Sequence, residues 1–526
     1  MKKLTIAILL LPYLSFSQTD DAFGGINDEC TTITMGKKAT NDGSVRTSHT
    51  DDSHRTRSNI FITPAKTHAA NATVTMYKRS ACDTTKMRTY RNDSIGVIPQ
   101  IFNTFAYLNS AYPCLNEKQL AIGESTTSGR KELVSENGLI DCQRLCMLML
   151  ERCSTARQAI AVGGELLKTY GWIDAGECLT IADKNEVWHL EIFGPGKGNK
   201  GAVWAAQRVP DDHISVNANA STIKEIDTSN HDYFMYSDNV FSLALDSGWW
   251  NPDEPFLFCY AYAPESRALL AARRREWRVF DLLAPSLKLD PNSENYPFSV
   301  KPDTLVSLEK MMSVFKDYYE GTEYDMRKNI TVRGDSNKMI ISPLANPFMT
   351  VDELKLHRVN GGWHAYGERA IAVRFTMYAT VIQCRNWLPD EIGGVAWFAL
   401  DNVASSVYVP IYCSVTDLPQ TYKTCGRRTG FSHNSAWWAF NRLGTLASKR
   451  WGSMRHDLDN VWSPFQKELI DNQKKIEQQA LDLYNPKKPS KTVDFLTKYT
   501  NEQAGKAVKM AWDLGDYLWT KYDGLW

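Results

Sequence analysis

The sequence has no surplus of either charge: Lys plus Arg and Asp plus Glu each total 60. A basic excess of the kind that marks nucleic-acid and anionic-membrane binders is therefore excluded, and recognition must rest on a local site. Beyond the N-terminal stretch, no uninterrupted apolar run reaches the roughly 20 residues that span a bilayer. HExxH, CxxC and GxxxxGK[ST] are all missing, which removes the usual signatures of a metallopeptidase, a thiolate metal site and a P-loop. No cofactor and no metal are expected. Residues 194–201 are rich in glycine, but without Walker spacing or a following helix they read as a hairpin loop with one basic side. No repeat with a period of roughly 20 to 50 residues is evident.

What is present is the composition of a large globular protein, 526 residues with 43% hydrophobic and 23% charged, enough for an extensive core and more than one domain. Lys2 and Lys3 followed by the short apolar run 4–14 and Ser15-Phe16-Ser17 predict a cleaved secretory signal over 1–17. The product is then exported, to a periplasm or to the outside, with no membrane attachment once the signal is gone. Eleven cysteines are an odd number for an oxidising compartment, so at least one thiol has no partner within the chain. Cys142 and Cys146, four apart in an apolar helical pattern, read as small buried hydrophobes.

Strand and helix signals come in blocks. Short β-branched runs occupy 60–62 and 72–77, and a helical pair follows over 139–170, with Ser154 or Thr155 able to cap the second helix. Further strands are expected at 178–182, 187–193 and 202–209, a helix at 265–283, and strands within 369–382 and 395–412. Helices return over 435–450, 464–484 and 492–518. Segregated blocks predict an α+β fold with antiparallel sheets, not a doubly wound parallel one. The basic run Arg273-Arg274-Arg275 reads by default as a solvated helix face.

The stretch that most plainly carries chemistry runs from Glu29-Cys30 to His54. Thr31-Thr32-Ile33-Thr34 has the composition of a strand, and Asn41-Asp42-Gly43 signals a turn, so Cys30 opens a hairpin. Antiparallel pairing returns His49, Asp51 and Asp52 to the level of the cysteine.

At Cys30-Thr31-Thr32, Gly36-Lys37-Lys38-Ala39-Thr40, Asp42-Gly43-Ser44 and Asp51-Asp52-Ser53 the chain resembles the bacterial dipeptidases with an N-terminal cysteine nucleophile, members of the Ntn-hydrolase superfamily. The resemblance continues through 116–124, Gly176-Glu177-Cys178, Trp188-His189-Leu190-Glu191, Val216-Asn217-Ala218-Asn219 and 274–278. It implies an αββα four-layer sandwich with antiparallel sheets over 30–434, a helical C-terminal extension over 435–526, and a leader, 18–29, removed to expose Cys30. The Cys30 thiol would then attack the scissile carbonyl and its own α-amino group would handle the proton.

A free α-amine has a pKa of about 7.7 to 8.0, so near neutrality it can accept a proton that the leader's amide could not. By the same resemblance His49 falls where the family carries an arginine, Arg46 being three residues away and so on the opposite face of a strand. Asp52, with Asp51 as competitor, matches the acid that orients the new amino terminus. Asn217 and Asn219 match the oxyanion and substrate donors, and Arg275, with Arg274 next, matches the arginine near the nucleophile. Each also has a plain alternative: a surface histidine, a cap, or turn asparagines.

The activity implied is hydrolysis of short peptides, dipeptides above all. Related Ntn enzymes acting on penicillin V or bile-salt amides, and a secreted non-catalytic binding protein using the 16 tryptophans and 23 tyrosines, are the rivals. A homo-oligomer is left open.

Overall fold

A computed structural model describes residues 29–82, 87–328, 330–350, 353 and 369–525. The signal 1–17 and the leader as far as Asp28 lie outside the described residues, whereas Glu29 lies within them. Two strands organise the rest, β1 (Glu29–Met35) and β2 (Val45–Asp52). They pair antiparallel with Glu29 opposite Asp52, Cys30 opposite Asp51 and Thr31 opposite Thr50. The connection is wider than a tight turn, because Lys38 N–H donates to Asp211 O (2.7 Å) and Thr40 bridges to Val306, tying the loop to neighbouring segments. Gly43 supplies its left-handed residue, at φ 79°.

This hairpin lies at the centre of a seven-stranded sheet. In spatial order its strands are Ser299–Val300, Ile214–Asn217, β1, β2, Thr376–Cys384, Val395–Leu400 and Val409–Tyr412. A second sheet of eight strands has Val187–Phe193, Gly176–Ala182 and Ala121–Thr127 in its middle. Every pairing within these two sheets is antiparallel among the described residues. The sheets face one another, with β1 and β2 against Ala121–Thr127.

Helices α1 (Cys142–Arg152) and α2 (Ala156–Tyr170) form one outer layer, α2 packing on Gly176–Ala182 and Val187–Phe193. Helices Ala436–Ser448, Trp451–Asp482 and Ser490–Lys521 form the other, against Val395–Leu400 and Val409–Tyr412. The order of layers is thus helix, sheet, sheet, helix, as the resemblance implies, but the second helical layer is supplied by 436–521 and not by residues within 30–434. Thr155 is the residue that caps α2, its side chain accepting from Gln158 N–H. Cys142 and Cys146 are fully buried on α1, and no disulfide is formed among the described residues.

The space between the two sheets is unusually polar. Thr34 Oγ1 lies 2.9 Å from His189 Nε2, and Thr47 Oγ1 lies 2.7 Å from Thr180 Oγ1, all fully buried. Such groups survive burial only when paired, and they pair across the sheets. Backbones also approach closely here: a methyl group on Gly123 would sit 2.1 Å from the Ser48 carbonyl oxygen.

Three expectations change. The helix over 265–283 is broken at the extended Leu269 into Pro264–Ala268 and Leu270–Leu283. Its arginines are not solvated: Arg273, Arg274, Arg275 and Arg278 are all buried. They tolerate this because fixed acceptors meet them, such as Ser293 O for Arg273 (2.8 Å), Pro291 O for Arg274 (2.8 Å) and Asp317 for Arg278 (2.8 Å). Pro464 does not start a helix but sits inside Trp451–Asp482. Both Pro464 and Asn460, whose carbonyl loses its partner, face solvent, where water can satisfy the carbonyl. Among the described residues no helix is long and apolar enough to cross a membrane.

Candidate active site

Cys30 is the second residue of β1 and is 2% exposed. Its backbone N–H donates to Asn219 Oδ1 (3.2 Å) and its carbonyl oxygen accepts from Arg275 Nη1 (2.7 Å). The thiol crosses to the other sheet and donates to Glu124 Oε2 (3.1 Å). Burial, then the negative neighbours Glu124, Asp51 and Asp52, hold the thiol pKa well above its ordinary value. With Glu29 still attached, Cys30 is therefore a protonated thiol beside a carboxylate.

Asn219 is positioned by an unusual backbone. It follows the strand Ile214–Asn217 at φ 66°, a left-handed conformation that asparagine tolerates better than most residues. Its N–H donates to Ser125 Oγ (3.0 Å) and its Nδ2 to Thr126 O (2.7 Å). Arg275 Nη2 donates to the same Oδ1 that receives Cys30 N–H (2.8 Å), which fixes the amide with its oxygen toward the cysteine. Asn217, the last residue of that strand, stands opposite Thr32 of β1 and is fully buried, its Nδ2 donating to Ala220 O (2.8 Å). The buried Glu191 carboxylate pins the following segment by accepting from Thr222 N–H (2.6 Å) and from the Ser221 hydroxyl.

Asp52 is fully buried and faces Arg369 Nη2 (2.6 Å), Thr376 Oγ1 (2.6 Å) and Thr50 Oγ1 (3.0 Å). Burial pushes its pKa up, opposed by Arg369 and the two hydroxyls. It stands opposite Glu29, and the competitor Asp51 stands opposite Cys30 with its Oδ2 accepting from Thr56 Oγ1 (2.8 Å). His49 is 2% exposed and so is no surface histidine. Its Nδ1 lies 2.9 Å from Glu124 O and 3.3 Å from Glu124 Oε2, and its ring is set between Tyr112 and Tyr378. Burial pushes its pKa below the usual histidine value, so at neutral pH the ring lacks the permanent charge of an arginine. Arg46 sits at the other end of the hairpin, on Asp42 (2.7 Å).

Arg275 is 1% exposed, and burial together with Arg369 brings its pKa down to about 10. The structure thus brings Cys30, Asn219 and Arg275 into direct contact, places Asp52 and His49 in the surrounding shell, and leaves Asn217 behind it. Arg274 instead stacks on Tyr324.

Two site residues were not singled out from the sequence. Glu124 interrupts the small and apolar strand Ala121–Thr127, a signal for a carboxylate with a purpose. Arg369 stands alone at the head of an apolar run and carried no motif. The side chains of Cys30, His49 and Glu124 offer a sulfur, a nitrogen and an oxygen within 4.8 Å of one another, a set able to hold a divalent cation. Here the sulfur and oxygen already share the thiol proton.

This geometry can be compared with known proteins. The chain is 25% identical over 439 residues to a probable dipeptidase of Latilactobacillus sakei, covering 82% of this chain and 83% of that one. It is 27% identical over 403 residues to a probable dipeptidase B of Lactococcus lactis, covering 75% and 76%. Dipeptidase A of Lactobacillus helveticus is 23% identical over 79% of this chain and 81% of its own. Among solved structures, penicillin V acylase from Agrobacterium tumefaciens aligns over 77% of this chain and 94% of its own at 10% identity, with a TM-score of 0.29 too low to argue from. The model of peptidase family C69 matches residues 29–464, the segment that opens one residue before Cys30 and carries every site residue above, and the protein is accordingly a cysteine-type peptidase belonging to family C69.

Proposed function

We propose that this protein is an exported dipeptidase that becomes active when the Glu29–Cys30 bond is cut. The observation that carries the reading is the grip on the Cys30 nitrogen. Asn219 Oδ1, itself fixed by Arg275, already accepts from that nitrogen and would keep the freed α-amine beside its own thiol. The curated relatives named as dipeptidases supply the substrate class, and Lys2-Lys3 with the apolar run 4–14 support export.

In the mature protein the α-amine takes the proton from the Cys30 thiol, and the thiolate attacks the peptide carbonyl carbon. The resulting ammonium returns that proton to the leaving amine as the C–N bond breaks, releasing the C-terminal amino acid and leaving a thioester. Water, deprotonated by the same amine, then attacks the thioester, frees the N-terminal amino acid and regenerates the thiol. Until the leader is gone the nitrogen is an amide and cannot serve as base.

Mass spectrometry of purified active protein tests this directly, together with a panel of dipeptides, tripeptides and acyl amides. The expected result is an N-terminus at Cys30 and hydrolysis that favours dipeptides and is lost in Cys30→Ala. Full activity in a preparation beginning at Gln18 overturns the mechanism, and preference for acyl amides overturns the substrate.

A further inference from the structure

Glu29, the last residue of the leader, has a specific seat. Its carboxylate lies 2.8 Å from Arg369 Nε and 3.8 Å from Arg275 Nη2. Both arginines are almost fully buried, and Asp52 on Arg369 Nη2 (2.6 Å) is their other acidic partner. The hydrogen bonds of Arg275 go to uncharged groups, Cys30 O, Thr31 Oγ1, Ala218 O and Asn219 Oδ1 among them. Arg369 Nη1 and Nε, and the Glu29 oxygen that faces Nε, are buried without a hydrogen bond, so Glu29 is held by charge alone.

Removing Glu29 leaves two buried guanidiniums facing one carboxylate. Paired positive charges in a site shielded from water need a counter-anion, and a guanidinium favours a carboxylate above other anions because its fork matches the two oxygens. The Glu29 side chain is 28% exposed, so its departure opens the seat to solvent. Against Arg369 lies only a small cavity of about 20 Å³, lined by Phe348, Met349, Val373 and Phe375.

We propose that Arg275 and Arg369, once freed from Glu29, form the subsite that binds the C-terminal carboxylate of the substrate. This rests on the dipeptidase reading above and deepens it. In a dipeptide the free carboxylate stands a single residue past the scissile bond, and Glu29 places its carboxylate from a single residue before Cys30. The subsite therefore measures chain length: a tripeptide would present a neutral amide to the two arginines and leave them unpaired. Glu29 acts as a stand-in for substrate, blocking the seat until the leader leaves.

The test compares an alanine dipeptide, its C-terminal amide and the alanine tripeptide on the processed enzyme. The dipeptide is expected to exceed the other two by about 100-fold in kcat/KM, the scale of leaving a buried charge unpaired. Arg369→Met should remove most of that preference by slowing the dipeptide far more than the amide and the tripeptide, and Arg369→Lys should restore part of it. The comparison on the unaltered enzyme stands even where Arg369→Met fails to fold. Turnover of all three within about threefold of one another overturns the subsite and leaves the dipeptidase reading in place. Absence of Cys30-dependent turnover on any of them overturns the dipeptidase reading and the subsite with it.

Discussion

The two ends of the β1–β2 hairpin hold similar groups to opposite effect. At the loop end Asp42 meets Arg46 at 2.7 Å and accepts from Ser44 Oγ at 2.7 Å, and this company holds its carboxyl well below the usual range. At the open end Cys30 and Asp52 are pushed up and His49 is pushed down, in each case by burial before anything else. Charge is stabilised at one end and suppressed at the other. The lesson concerns what a buried polar group is for: saturated pairing gives structure, whereas groups driven toward neutrality keep a proton available to move.

Substitutions at the two ends should therefore separate activity from stability. Cys30→Ala is expected to give the largest effect, a loss of dipeptide turnover of about 1,000-fold or more with the unfolding midpoint little changed, read from steady-state kinetics and urea melts. Asn219→Ala removes the acceptor on the Cys30 nitrogen, and kcat should fall about 100-fold, with a much smaller change in KM. Equal loss in kcat and in stability would place Asn219 with the scaffold instead.

At the loop end Asp42→Asn leaves Arg46 buried beside a neutral amide. A loss of about 3 kcal/mol in stability is expected, with kcat per folded molecule unchanged. Because the folded Asp42 pKa is depressed, its contribution is present above the unfolded value of about 3.9 and disappears as pH falls below it. Asp52 has the opposite sign. Its folded pKa is raised, so its contribution is present below about pH 3.9 and is lost as pH rises through the folded value. Urea melts from pH 2 to 7 should thus show the Asp42→Asn deficit shrinking only below about pH 3.9 and the Asp52→Asn difference changing only above it, the smallest of these effects. Parallel curves would break the comparison between the two ends.

Local patterns made much of the molecule legible. The β-branched run behind Cys30 and the Asp-Gly signal gave the hairpin, and periodicity at three and four gave α1 and α2. Antiparallel return brought Asp51 and Asp52 level with the cysteine, as the register shows. What stayed hidden depends on partners distant in sequence. Glu124 is 94 residues from Cys30 and Arg369 is 317 from Asp52, and no spacing rule links either pair. The buried arginines of Leu270–Leu283 were misread because their acceptors are loop carbonyls and Asp317, invisible to a helix pattern. Pro464 was misread because tertiary packing of a 32-residue helix outweighs one missing bond on its wet side.

Cys30 rides on one sheet, with Asn219 just past the end of its neighbouring strand, while Glu124, Ser125 and Thr126 ride on the other, and at Gly123 the two backbones come too close to admit a methyl group. The reactive distances are therefore set by how far apart two rigid slabs stand, a quantity that one methyl group at Gly123 would alter. A site of this kind behaves as a gauge of the gap. Warming, or any ligand that wedges the slabs apart, should silence the thiol while the strands and helices are still intact, so loss of activity precedes loss of circular dichroism on the same temperature ramp.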